Sequence, residues 1–496
     1  MGQLKHQGPA SESSVLPELL NYIDGDVSVP LSSRGTSLHN PNTLEPLQEQ
    51  LSCSEEQVAR ALCASEQANE TRLWENTPAE ERAAVLDQIA DRLNDAEVCE
   101  SIARVDSLTT GAIISVTRTM AELAPFSFRA AAQYLREGHL EQRFPGKAGE
   151  VEYFRRPWGP ALLISPWNGP TAISSHKVAS ALAAGAPCIL KPSEWAPHFA
   201  VTMAGIIHDM DLPEGTFQLT CGNRIAGGMM VGDSRIKSIS FTGGTAGGRA
   251  ISQACAESFT PLQLELGGNN PMVIFADADL EKAARGIAFG LTNLNAQWCR
   301  ALGRVIVHRS IKQELLERVK VEFGKVILGD SLDNNSTMGP QIHAQQYQSI
   351  LAAIDRLQSL GGKLLQNTAM PDLPGYFIPP TLIDDCRPED TTHEIFGPVA
   401  TVHCFDTDAE ALKLANGTDY GLAAYVYGEN EEKVFAFSRQ LRTGGVKING
   451  YNLLSLSPAV PRGAWGISGL GEEGTAHTIE FFTGACVVGS APSPAD

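Results

Sequence analysis

The sequence predicts an α/β protein built on a doubly wound parallel sheet, on three observations. Five short apolar runs, ALLIS (161–165), CILK (188–191), TFQLT, SISFT and LQLEL, recur with helix-like stretches such as SSHKVASALAAG and HFAVTMAGIIHDM among them. Strands apolar on both faces, alternating with helices, argue for a parallel sheet covered on both sides. The rhythm then repeats. MVIF, RVIVH, TLIDD, AAYVY and GVKING form a second α/β series from about 266 to 460. Finally, 496 residues exceed what one core usually supports, so more than one domain is expected.

In chain order, residues 1–20 read as a disordered tail. No long apolar core follows a basic start there, so no secretory signal is expected, and His6 stands where a myristoylation motif wants Ser or Thr. Residues 54–140 read as helices. SEEQVARALCASEQANE and PAEERAAVLDQIADRLNDAEV space apolar residues three and four apart, with acidic residues in the first turns. GEVEYFRRPWG (149–159) alternates and reads as a strand or hairpin. The doubly wound unit then spans roughly 155–265. The C-terminal IEFFTGACVVG reads as a lone strand that pairs with the 149–157 segment or with a neighbouring subunit.

Composition narrows the function. Hydrophobic residues are 43% of the chain, enough for a large core. The net charge of −19 argues against nucleic acid or an anionic membrane as partner, since both demand a basic footprint. No run of 18 apolar residues occurs, so no membrane span is expected. Ten cysteines are scattered with no CxxC pair and no zinc spacing, so no metal site is expected. Scattered thiols in a long acidic chain suggest a reducing cytoplasm. Any one of them reads by default as a small buried hydrophobe.

Ligands of open parallel sheets bind at the carboxyl ends of strands. After ALLIS come Pro166, Trp167 and Asn168. After CIL come Lys191, Pro192, Ser193 and Glu194. SISF leads into Thr242, Gly243 and Gly244, and LQL leads into Glu265, Leu266, Gly267 and Gly268. Four polar or glycine-rich ends suggest a lined cleft. FTGGTAGG precedes a helix-like stretch, where glycine N–H groups and a helix N-terminus suit a phosphate; a tight strand-to-helix turn is the alternative. Glu194 sits where an acidic residue can accept from adenine-ribose hydroxyls, or it forms a surface ion pair. Glu265, in an apolar and glycine-lined setting, suits a general base with a raised pKa, or it is a solvated strand end. Cys299, in NLNAQWCRALG, completes the set. If an oxyanion forms on its sulfur, the Asn168 amide and the Cys299 backbone N–H suit it. A thiol, a base, an amide and a phosphate loop together suggest oxidation of a carbonyl through a thioester.

SPWNGP, ALAAGAPCILKPSE, SFTGGTAGG, LELGGNNP, NAQWC, EIFGPV, YGLAAYV and SGLGEEG follow one another in the order and spacing of a known family. From about residue 30 to its end the chain resembles the aldehyde dehydrogenase superfamily. The resemblance implies a Rossmann-type dinucleotide domain (21–135 and 155–265), an α/β catalytic domain (266–460) and a small β oligomerisation arm (136–154 and 475–496). A homodimer or homotetramer follows from that arm. Cys299 is implied as nucleophile, Glu265 as the base for the hydrolytic water, and Asn168 with the Cys299 N–H as oxyanion hole. Lys177 and Glu473 match proton-relay positions. The implied cofactor is NAD, with NADP as the alternative. Lys191, Ser193 and Glu194 match its adenosine ribose, and the Glu194 charge would repel a 2′-phosphate. Ile164, Ser165, Pro166 and Trp167 line the same site, with Trp167 and Gly222 toward the adenine. Phe241, Thr242, Gly243, Gly244 and Leu266 match the nicotinamide and pyrophosphate loop, and Glu394 and Phe396 the nicotinamide ribose. Glu265 favours a hydrolytic, acid-forming enzyme, since members that acylate CoA tend to lack this base.

Departures from the family pattern concern the substrate. Arg462 replaces an aromatic that commonly lines the aldehyde pocket, Gly169 follows PWN where a bulky side chain is frequent, and His176 stands where some members have Trp. A roomier, more polar mouth is expected. Arg462 would dock a carboxylate distal to the aldehyde, or pair with an internal Glu. A bulky aromatic aldehyde between Trp298 and Trp465 is the other reading. The enzyme is expected to act on a general aldehyde or on a specialised semialdehyde or biosynthetic intermediate. A cofactor-free thiol esterase would use the same Cys299, Asn168 and Glu265, but has no need of FTGGT, KPSE and EIFGP.

Overall fold

The computed structural model describes residues 16–147, 149–452, 456–457 and 460–490. Most of the expected tail lies outside them. Residues 16–20 depart from it: Leu16 and Leu20 pack on core clusters and Leu19 is 4% exposed. Three leucines in five residues hold more apolar surface than a solvated tail would keep in water.

Two sheets carry the molecule. The first has eight strands, in the order Asp26–Ser28, Asn21–Ile23, Phe217–Leu219, Cys188–Lys191, Ala161–Ile164, Ser238–Thr242, Leu262–Glu265 and Gly469–Leu470. The five central strands are parallel and are the five apolar runs of the sequence. Antiparallel strands close both edges. Chain order runs outward in one direction from Ala161–Ile164 and in the other from Ser238–Thr242. The crevice between those two carboxyl ends is where such sheets bind ligands.

The second sheet has seven strands: Lys363–Leu365, Thr381–Asp384, Val399–Phe405, Leu302–His308, Asn270–Ile274, Ala424–Tyr427 and Val446–Ile448. Only Lys363–Leu365 runs antiparallel to its neighbour. A third sheet is small. Gly149–Pro157 lies between Glu141–Gly146 and Thr483–Gly489. The C-terminal strand is thus shorter than the sequence suggests, seven residues from Thr483 to Gly489. Residues Thr475–Phe481 are helical, and their buried Ile479 joins the main core. The expected arm therefore starts its last strand at Thr483, while its middle strand runs on to Pro157.

Local signals fix the helices. Ser54 and Gln57 form a reciprocal capping box on Glu55–Thr71, and Asp95 caps Ala96–Thr110. The second of these helices ends at Gly111 with φ 78, where a Cβ would fall 2.5 Å from the Pro340 carbonyl oxygen. That end cannot carry another residue without moving the catalytic unit's backbone. Among the described residues no helix is long and apolar enough to cross a membrane.

Candidate active site

Strand register builds the first wall. Ile164 lies opposite Lys191 on one side and Phe241 on the other, and Thr242 lies opposite Glu265. Four carboxyl ends finish level, beside the crevice. Past Phe241 the chain turns into helix Thr245–Cys255, which has no side-chain cap. A Cβ on Gly244 would meet nothing within 4 Å, whereas one on Gly243 would strike the Phe241 ring at 2.5 Å. Leu266 packs on the same helix at Gly248, and Thr242 Oγ1 is buried without a partner. Open N–H groups, bare backbone and an unpartnered hydroxyl fit a pyrophosphate.

The adenosine end is held more tightly. Lys191 is buried, and its Nζ donates to the Pro192 carbonyl at 2.9 Å. The Ser193 hydroxyl accepts from the Trp195 N–H, and the Glu194 carbonyl accepts from Gln50 Nε2. Gly222 sits where a Cβ would fall 2.9 Å from the Ala226 side chain. Ser165 accepts from Ser174 Oγ at 2.8 Å, which ties the loop through Pro166 to helix Pro170–Ala183. Trp167 packs edge-on against Phe396, with ring centroids 5.4 Å apart. That contact joins Trp167 to the residue expected at the nicotinamide ribose, not to Gly222.

Cys299 lies on the turn between helix Leu280–Thr292 and strand Leu302–His308. Several bonds pin this turn. Asn270 Nδ2 donates to the carbonyls of Cys299 and Ala301, and the Tyr425 and Tyr451 hydroxyls both donate to the Arg300 carbonyl. The approach to the turn is strained. Leu294, Asn295 and Ala296 all have positive φ, at 48°, 55° and 57°. The Asn295 side chain holds them. It donates to the carbonyls of Gly111 and Pro340 and accepts from the Gly339 N–H, each at 2.8 Å.

The Glu265 turn closes onto the same place. A Cβ at Gly268 would lie 2.4 Å from the Cys299 carbonyl oxygen, and one at Gly267 would collide with the Glu394 carboxylate. Both glycines are needed for that approach. Glu394 accepts from the Gly268 N–H at 2.8 Å, and burial pushes its carboxyl up to about 7. Asn168 is half-buried beside Gly169, at the start of the Pro170–Ala183 helix, and its amide donates no hydrogen bond to a described residue. Gly169 would accept a Cβ at ordinary distance from Ile173, so its side of the mouth is open.

A buried polar chain backs the site. Lys177 Nζ donates to Ser240 Oγ at 2.6 Å, and Ser240 donates to Gln263 Oε1 at 2.8 Å. Gln263 reaches Thr478, whose hydroxyl also meets His176 Nε2 at 3.0 Å. Burial lowers Lys177 to about 8 and His176 to about 4, so His176 is neutral. Glu265 is 4% exposed, and its Oε1 has no partner. Burial first, and then the Glu473 charge, push its carboxyl up to about 8. Glu473 goes the other way. Burial opposes its ionisation, but the charges of Arg462, Lys177 and Arg300 together hold it well below the usual carboxylate range. Burial pushes the Cys299 thiol up to about 12, with Arg300 pulling against it. Cys299 therefore rests as a thiol, which must hand on its proton before its sulfur can attack.

Arg462 pairs with Glu473 across a short antiparallel ribbon, at 3.5 Å. The internal partner weighed for it is thus present. Trp298 is 8% exposed and faces Tyr451 with ring centroids 6.2 Å apart, while Trp465 is 54% exposed. The two indoles do not share one setting.

The family model described as the aldehyde dehydrogenase family matches residues 30–488. The chain belongs to the aldehyde dehydrogenase family. Aminoaldehyde dehydrogenase 1, peroxisomal, from Malus domestica is 32% identical over 473 residues, covering 92% of this chain and 93% of that protein. Betaine aldehyde dehydrogenase, chloroplastic, from Amaranthus hypochondriacus is 30% identical, again over 92% and 93%. Among solved structures, an NAD-dependent aldehyde dehydrogenase from Sinorhizobium meliloti superposes with a TM-score of 0.91 at 26% identity, over 99% of each chain. Betaine aldehyde dehydrogenase from Staphylococcus aureus in complex with NAD+ gives 0.89 at 29% identity, over 96% and 97%. This aldehyde dehydrogenase oxidises an aldehyde with NAD.

Sequence reasoning missed three parts of the aldehyde dehydrogenase site. Ser240 and Gln263, polar residues inside otherwise apolar strands, were a readable signal. Thr478 was hidden by reading its segment as a strand. Arg300 follows the nucleophile directly and was passed over as one more charged residue.

Proposed function

We propose that Cys299 is the nucleophile of a hydrolytic, acid-forming reaction and that Glu265 is its general base. The observation that carries this reading is the contact of the two turns. The Gly267–Gly268 backbone lies on the Cys299 carbonyl, three residues from a buried carboxyl that has no partner. Glu265 in its ionised form takes the thiol proton, and the sulfur attacks the aldehyde carbon. Asn168 and the Cys299 N–H hold the resulting oxyanion in place of water. When bound, NAD supplies the hydride acceptor that turns the Cys299 thiohemiacetal into a thioester. Gly243, Gly244, Thr242 and the open helix end would hold its pyrophosphate, and Lys191 and Glu194 its ribose. Glu265 gives the thiol proton up to solvent and then takes a proton from water, which attacks the thioester and frees the acid and the Cys299 sulfur. Lys177, with Ser240 and Gln263 behind it, passes charge between Glu473 and Glu265.

Steady-state and single-turnover formation of reduced cofactor test these roles. Cys299→Ala should abolish turnover on every aldehyde, a loss of at least about 10⁴-fold by analogy with removal of other covalent nucleophiles. Glu265→Gln should slow both single-turnover NADH formation and steady-state turnover, by about 10²- to 10⁴-fold, because it loses the base for the thiol and for the water. A full steady-state rate in Glu265→Gln would remove it as the base.

We also infer a homodimer or homotetramer in a reducing cytoplasm, with 21–135 and 155–265 as dinucleotide domain and 266–460 as catalytic domain. The supports are the open edge of strand Thr483–Gly489, its exposed Val487 and Val488, and ten free thiols.

A further inference from the structure

Two arginines lie close together after the nucleophile, and both are buried: Arg300 at 8% and Arg304 at 4% exposure. Their surroundings differ. The Arg304 guanidinium donates to the carbonyls of Asn269, Leu414 and Ala415, and so serves as a structural tie between strands. The Arg300 guanidinium donates no hydrogen bond and forms no ion pair with any described residue. Arg462, the third arginine near the site, already has Glu473. A buried cation without a partner is costly and is retained where something else supplies the counter-charge. Arg300 is also held in place. Its carbonyl accepts from both Tyr425 and Tyr451, so the side chain springs from a fixed root. Arg300 follows Cys299 directly on the turn that Asn270 pins, so it stands beside the reacting end of the pocket. One residue before Cys299, the Trp298 Nε1–H is a second buried donor without a partner.

Charge balance points the same way. Lys177, Arg300 and Arg462 face the site as cations. Glu473 is ionised, while Glu265 and Glu394 are both held toward their neutral forms. Three cations face one ionised carboxylate, and Arg300 is the one of the three whose side chain makes no hydrogen bond or ion pair with a described residue.

We propose that Arg300 binds an anionic group of the substrate, and that the enzyme prefers short aldehydes carrying a carboxylate over neutral and cationic ones. This rests on Cys299 as the nucleophile. The carboxylate would meet the planar guanidinium as a two-pronged acceptor, with the aldehyde carbon toward Cys299. A quaternary ammonium or an ammonium group would instead meet Arg300 as a like charge. The relatives named for betaine aldehyde and aminoaldehydes therefore differ from this chain in substrate charge.

The test measures kcat/KM for succinic semialdehyde, butanal and betaine aldehyde with wild type, Arg300→Gln, Arg300→Lys and Arg462→Gln. The expected wild-type order is succinic semialdehyde first and betaine aldehyde last. In Arg300→Gln the ratio of succinic semialdehyde to butanal should fall about 100-fold, mostly through KM, as expected for loss of a charge-assisted pair. Arg300→Lys should restore part of that ratio, and Arg462→Gln should change it far less. An unchanged ratio, a wild type that favours betaine aldehyde, or an equal fall on all three aldehydes with a displaced pH profile would overturn the proposal. The last result would make Arg300 a support of the thiolate instead. Should Arg300→Gln not fold, competitive inhibition of the wild type decides: succinate should bind more tightly than succinamide, and equal inhibition would overturn the proposal. Turnover surviving in Cys299→Ala would instead overturn the nucleophile on which it rests.

Discussion

A general base held at about 8 makes the reaction alkaline. Glu265 accepts a proton only when ionised, so kcat should climb as pH rises through about 8. The neighbours set the position of that rise. Burial is the larger cause of the shift, and the Glu473 charge adds to it. Removing that charge by Glu473→Gln should move the rise to lower pH, because Lys177 and Arg462 then act on Glu265 without opposition. A pH–rate profile measured in single turnovers reads this directly, and a displacement to higher pH would contradict it. At this scale the positions of the proposed catalytic residues were legible in the sequence. Cys299, Glu265 and Asn168 stand at strand ends or turns that the pattern marks. Arg300 was not legible, because its significance lies in a missing partner, and only packing shows which of two nearby arginines is satisfied.

The turn before the nucleophile is held against its own backbone preference. A left-handed non-glycine residue costs about 1–3 kcal/mol, and here three stand in a row. Asn295 offsets that cost with two donated bonds and one accepted bond to buried backbone. Asn295→Ala should therefore lower stability by about 3 kcal/mol, since it leaves buried carbonyls and an N–H unpaired. Ala296→Gly should act in the opposite sense, raising stability by about 1 kcal/mol because glycine adopts φ 57 freely. Urea denaturation midpoints would show the two signs, and equal losses from both would mean the turn is not strained. The parallel strands of both sheets were legible as elements because a strand buried on both faces must be apolar along its length. The antiparallel edges were not. Asn21–Ile23, Gly469–Leu470 and the Arg462–Gly463 ribbon are two or three residues long and pair only because distant segments reach them. The run IEFFTGACVVG is apolar without a clear period, and it reads as a strand throughout. The helix Thr475–Phe481 takes the run's first three residues because Ile479 enters the main core and Thr478, just before the run, joins the polar chain to Lys177.

At the scale of the molecule the two large sheets meet where they must cooperate. Leu262–Glu265 of the first sheet leads straight into Asn270–Ile274 of the second, so Glu265 and Asn270, which pins the Cys299 carbonyl, are separated by four residues. The third sheet contributes nothing to that meeting. It stands apart with an open edge on Thr483–Gly489, and it shows Val487 and Val488 at 66% and 55% exposure and Phe144 at 48%. An exposed apolar strand edge is a template for further pairing, and solution monomers rarely leave one uncovered. A second copy of the chain is the covering that the proposed assembly supplies. Two variants separate this from simple folding. Val488→Asp puts a charge on the exposed face without touching the core, and deletion from Thr483 onward removes the strand whole. Multi-angle light scattering should find a smaller particle for each than for the parent chain. Glu265 lies on the first sheet and Cys299 on the turn before a strand of the second, so the Val488→Asp protein should still give an NADH burst. Unaltered mass in both variants would place the interface elsewhere on the surface.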